Sequence, residues 1–105
     1  MSKARKTSNV FADLGLPDAD GLLARAELTR QIYNAIKERE LSQAKAAEIL
    51  GLKQPDVSLL MRGKYTRFST DRLLNLLVRL GRSVEIVIRN PRAAKDRSRV
   101  TVIAA

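Results

Sequence analysis

The 105-residue chain contains no cysteine, no histidine and no tryptophan. Without cysteine there are no disulfides and no thiolate metal sites, and without histidine the commonest general base and metal ligand is missing. No glycine-rich phosphate loop compensates, so the serines, lysines and carboxylates form no recognisable catalytic constellation. No enzyme is expected, and no cofactor or metal. No apolar run approaches the ~18 residues that a membrane span needs, and the early lysines and arginine are not followed by the apolar stretch of a secretion signal. A cytoplasmic protein without membrane contact is expected. Aromatic residues are limited to Phe11, Tyr33, Tyr65 and Phe68. These do not interleave with a basic surface, which argues against a stacking platform for single-stranded RNA.

Positive charge is what the chain has in excess, and it is unevenly placed. Residues 1–52 hold eight basic and seven acidic side chains, whereas residues 53–105 hold twelve basic and four acidic. Nearly all of the net +9 therefore follows Leu52. Such an excess can be a solvated basic surface, but at this magnitude a polyanion partner accounts for it better.

Apolar periodicity divides the chain. Residues 1–17 mix a basic start with Val10, Phe11, Leu14 and Leu16 and read as an N-terminal arm. From about Asp18 to Glu40, Leu28, Ile32 and Ile36 recur every four residues with Ala35 beside them, one stripe of a helix. Ser42 is a good N-cap for the alanine-rich QAKAAEIL, and Gly51 can take the left-handed conformation that stops a helix. Ser69 caps a further leucine-rich helix over Thr70–Leu80, ended by Gly81. The period then becomes two: Val84, Ile86 and Ile88 alternate in SVEIVIRN, and RVTVIA repeats the pattern with Val100 and Val102. The intervening NPRAAKDRS reads as a loop.

Pro55 stands inside GLKQPDVSLLMRG, otherwise an amphipathic helix pattern. Proline lacks a backbone N–H, which costs nothing at the first helical position, so the residue is expected to begin a helix rather than break one. Asp56 in the first turn suits the helix dipole, Val57 and Leu60 face inward, and Gly63 supplies a stop.

Two short helices joined at a glycine, the second with an exposed polar face, make a helix-turn-helix. Gln43, Ala47, Leu50, Gly51, Leu52, Val57 and Leu60 each suit that geometry. Ala47 is small where the helices cross, Gly51 makes the turn, and the apolar residues face a shared core. An ordinary helical hairpin is the alternative, and the basic charge weighs against it.

With LSQAKAAEILGLKQPDVSLLMRGKYTRFS, the leucine-rich helix and LGRSVEIVIRNP in view, the chain resembles the phage-repressor-like XRE helix-turn-helix proteins, and within them the HigA-like antitoxins. NVFADLGLPDADGLLARAELTRQI is also typical of that subgroup, and the resemblance spans about residues 8–91. It implies a mainly α fold: a four- to five-helix repressor-like domain over residues 18–81, followed by one or two C-terminal β-strands in residues 82–105 that pair in a homodimer through Val84, Ile86 and Ile88. It also implies a repressor that binds a palindromic operator in double-stranded DNA at its own promoter. Relatives of this type neutralise a RelE-like ribonuclease toxin, a possible further partner. A stand-alone regulator without a toxin and a basic RNA-binding or adaptor module are the alternatives.

In that docking the helix at Pro55 enters the major groove with its N-terminal residues toward base edges. Gln54 suits adenine N6 and N7, Lys53 a guanine or a phosphate, Ser58 either kind of edge, and Pro55 or Leu59 a thymine methyl. Ser58 and Leu59 can equally be half-buried residues without a base contact. Gln43 is placed to anchor a phosphate at a helix start, and Arg62, Lys64, Tyr65 and Arg67 to grip the backbone after the recognition helix. Phe68 reads as core.

Overall fold

The computed structural model describes residues 18–90 and 100–104, with side chains described for 21–90 and 100–104. The arm expected at 1–17 and most of the loop expected at 90–98 lie outside them. Among the described residues four helices form: α1 over Asp18–Glu38, α2 over Gln43–Leu50, α3 over Gln54–Met61 and α4 over Thr70–Arg79. A short 3-10 turn over Tyr65–Arg67 joins the last two.

The α1 stripe is extended by one further member, since Ala24, Leu28, Ile32, Ala35 and Ile36 are all buried. They pack chiefly on α4, which buries Leu73, Leu76 and Leu77, while α2 and α3 pack on each other beside this pair. Ala46, Ala47, Leu50, Val57 and Leu60 bring the shorter helices into the same core, and Phe68 closes it. Burial of each large apolar side chain contributes about 1.5–3 kcal/mol, enough to hold eight-residue helices that could not persist alone in water. Val78 of α4 points to solvent, and Leu74 is only partly covered. Among the described residues, no helix is long and apolar enough to cross a membrane.

All four helices end in one way. In each, the amide just past the end donates to a carbonyl three residues back and the next amide donates five residues back: Glu40 and Leu41 to Lys37 and Ile36, Gly51 and Leu52 to Glu48 and Ala47, Gly63 and Lys64 to Leu60 and Leu59, Gly81 and Arg82 to Val78 and Leu77. This closure needs a left-handed residue. Glycine fills it at Gly51, Gly63 and Gly81, as the sequence suggests, but Glu40 fills it after α1 with φ 54°. A side chain there costs roughly 1–2 kcal/mol. Arg39 and Arg82 offset it by tying α1 to the far end of α4, Arg39 donating to the Leu80 carbonyl at 3.2 Å and Arg82 pairing with Glu38.

The C-terminal strands do not form. No strand exists among the described residues, and Val84, Ile86 and Ile88 stand exposed on the single chain. The reason lies in the hydrogen bonds: a helix satisfies its own backbone, whereas a strand needs a second edge, which the helices of this chain do not offer. Among the described residues of the second expected strand, Val102 packs against the core.

Candidate nucleic-acid interface

Two helix starts and one loop collect the exposed polar residues. At the start of α2 the Ser42 hydroxyl accepts the Lys45 amide at 3.0 Å, as its N-cap role requires. Ser42, Gln43, Ala44 and Lys45 are exposed there, while Ala46 and Ala47 turn into the core. The Gln43 and Ala44 amides belong to the first turn, where helix geometry provides no carbonyl for them.

The turn to α3 is short. Gly51 sits at φ 68°, Leu52 is half-buried, and Lys53 caps α3 with its backbone alone. Pro55 starts no strained geometry, but it is the second helical residue; Gln54 is the first. The shift changes nothing energetically, because the second amide of a helix is as unpartnered as the first. Lys53, Gln54 and Pro55 are all exposed, whereas Ser58 and Leu59 are half-buried and Val57 and Leu60 are core. The proposed readout residues therefore separate into an open group at the helix tip and a partly covered pair one turn on.

The loop cations follow the other end of α3. Arg62, Lys64 and Arg67 are exposed and Tyr65 is half-buried. The Arg62 Nε lies 3.5 Å from the Ser58 carbonyl, so the side chain lies back along its own helix. An eight-residue helix is about 12 Å long, and that length separates the tip at Gln54 from these cations. Polar groups able to meet base edges and cations able to meet phosphates thus occupy opposite ends of one element.

One residue escaped the reading of the sequence. Arg72, in the first turn of α4, places its guanidinium carbon 5.2 Å from the centre of the Phe68 ring. A four-residue spacing between aromatic and arginine was the available signal, but the N-cap Ser69 falls between them, so helical periodicity alone does not pair them. Val84, Ile86 and Ile88 lie beyond α4 on a separate segment and join none of these groups.

Comparison with known proteins bears on this arrangement. A family model described as a helix-turn-helix domain matches residues 10–89. A solved chain assigned to the XRE family of transcriptional regulators is similar at 40% sequence identity and a TM-score of 0.80, over 85% of this chain and 100% of that one. No protein of curated function matches the sequence.

Proposed function

The chain belongs to the helix-turn-helix family of XRE transcriptional regulators, and from that premise we propose that it is a sequence-specific repressor whose α3 reads operator base edges. The observation that carries this reading is the exposed tip Lys53–Gln54–Pro55 on a helix whose opposite face is anchored by Val57 and Leu60. Such a helix can enter a major groove without uncovering its core. Gln54 is the principal reader, assisted by Lys53 and Pro55 and, further along, Ser58 and Leu59. Gln43, Arg62, Lys64, Tyr65 and Arg67 hold the phosphates, setting register without carrying sequence information.

We infer further that the repressor acts as a cytoplasmic homodimer on a palindromic site. Support comes from Ile86, Val87 and Ile88, which stand at 73%, 61% and 89% exposure in succession. A second copy covering them would relate two α3 helices by a two-fold axis. The resemblance to HigA-like antitoxins adds a narrower role, neutralisation of a RelE-like toxin; co-expression with the neighbouring reading frame tests it, recovery of a small basic ribonuclease in complex being the supporting result.

The decisive experiment for the main reading separates readout from anchoring. On an operator obtained by selection from random duplexes, Gln54→Ala is expected to cost about 1–3 kcal/mol and to relax preference at one base pair. Arg62→Ala or Lys64→Ala is expected to weaken all duplexes alike and to flatten the salt dependence by about one unit each. Unchanged preference on Gln54→Ala would refute this docking.

A further inference from the structure

Two cations lie over aromatic rings in this protein, and they differ in what holds the ring. Lys37 lies 5.6 Å from the centre of Tyr33, but Tyr33 is itself 39% exposed on the surface of α1. Arg72 lies over Phe68, which is 2% exposed and fixed in the core. Only the second pair has an immobile platform. A flat guanidinium stacks on such a face and keeps its outward N–H fork free to donate to a planar or tetrahedral oxyanion.

Charge and position give that fork a use. Arg72 is exposed and makes no ion pair with a carboxylate among the described residues, although Asp71 is its neighbour. Arg30, Lys45 and Arg82, by contrast, are each paired with a glutamate. The Arg72 amide donates to the Ser69 hydroxyl at 3.1 Å, which fixes the first turn of α4 directly after the Tyr65–Arg67 turn. Arg72 therefore follows the loop cations Lys64 and Arg67 in the chain, with Phe68, the Ser69 cap, Thr70 and Asp71 between. Long cationic side chains usually lose rotamer freedom when they bind, and one already stacked on a core ring has less left to lose.

We propose that Arg72 is a further phosphate-binding residue, held ready by Phe68, that extends the backbone grip of the loop onto α4. This rests on the DNA-binding reading above and adds to it a contact for which the loop alone gives no reason. The pair divides the work: Phe68 closes the core with its body, and its outer face sets the direction of the arginine.

The test is the salt dependence of binding to a mixed-sequence duplex of about 30 base pairs, for which no operator is required. Arg72→Gln is expected to reduce the slope of log affinity against log salt by about 0.9, the effect of one lost phosphate contact. Arg72→Lys is expected to keep the slope, because the charge remains, while binding less tightly at every salt concentration. Arg82→Gln, which removes an arginine paired with Glu38, is expected to leave the slope unchanged. The proposal is overturned if Arg62→Gln and Lys64→Gln flatten the slope while Arg72→Gln does not; Arg72 is then only a lid on Phe68. It is equally overturned if Arg82→Gln matches Arg72→Gln, which would mean that net charge alone is read, or if Arg72→Lys loses the slope as well. If the unaltered chain binds duplex with no dependence on salt, the DNA-binding reading itself falls, and the single substitutions do not enter into that result.

Discussion

Ile32 and Ile88 are the same side chain in two surroundings: the first has no exposed surface and the second is 89% exposed. Each belongs to a regular apolar pattern, with a period near four around Ile32 and two around Ile88. What separates them is the backbone. The helical segment satisfies its own amides and carbonyls and is then free to turn its stripe onto α4. The segment after Gly81 cannot do so alone, and its apolar side chains stay uncovered. Apolar content thus marks which residues seek cover, whereas self-sufficient hydrogen bonding decides which find it within one chain.

Substitution sharpens this contrast. Ile32→Ala is expected to destabilise the fold by about 2–5 kcal/mol in denaturant titrations, since it opens a cavity in a closed core. Ile88→Ala is expected to change monomer stability by less than about 0.5 kcal/mol. In the proposed homodimer Ile88→Ala is expected to add a concentration-dependent loss, since a second copy then covers less apolar surface; sedimentation of the two proteins checks it, and an unchanged dimer would count against that interface. The next effect in size tests the turn on which both readings depend. Gly51→Ala is expected to cost about 1–2 kcal/mol, measured as a lowered unfolding midpoint, because φ 68° is strained for any side chain. Crowding does not add to this, since a Cβ at position 51 would meet the Arg79 Nη1 at an ordinary 3.5 Å.

Two smaller changes should stabilise the helical region and leave the C-terminal segment as it is. Thr29 is 3% exposed, and its hydroxyl has no hydrogen-bond partner among the described residues. Thr29→Val removes that unpaired group at nearly constant shape and is expected to add up to about 1 kcal/mol. Glu40→Gly relieves the left-handed strain at the end of α1, partly offset by the freedom glycine gains when unfolded. A gain of about 0.5 kcal/mol in thermal or chemical melts is expected; a loss would mean that the glutamate side chain contributes more than its strain costs.

Much of this architecture is legible in the sequence where a residue has one dominant conformational preference. Ser42 and Ser69 mark helix starts because their hydroxyls accept amides two or three positions on, and both do so here. Gly51, Gly63 and Gly81 mark ends because they accept positive φ. Pro55 narrows the start of α3 to within one residue, the first two positions being equivalent for a residue without an amide hydrogen. Features that depend on a distant partner are not legible in this way. Glu40 carries no local signal for its left-handed backbone, and the tie from the adjacent Arg39 to the Leu80 carbonyl emerges only when α1 meets α4. Phe68 and Arg72 meet across a cap that interrupts periodicity. The expected strands failed for a related reason, since alternation reports a preference for extended backbone but says nothing of where the second edge comes from. Within the candidate interface, residue types and order were readable, but the division between an open tip at Gln54 and half-covered Ser58 and Leu59 required the packed structure.

The ties between the two ends of the helical region have a consequence for synthesis. Arg39 reaches the Leu80 carbonyl across 41 residues of chain, and Arg82 reaches Glu38 across 44. A polypeptide growing from its N-terminus completes α1, α2 and α3 while Leu28, Ile32 and Ile36 still lack the surface of α4 that covers them. The unit can close only once the chain has grown past Arg82, so a product cut short before α4 keeps an apolar stripe in water, open to chaperones and proteases. Because α4 follows the other described helices in the chain, burial of the first helix waits on its completion and becomes a check on how far the chain has grown.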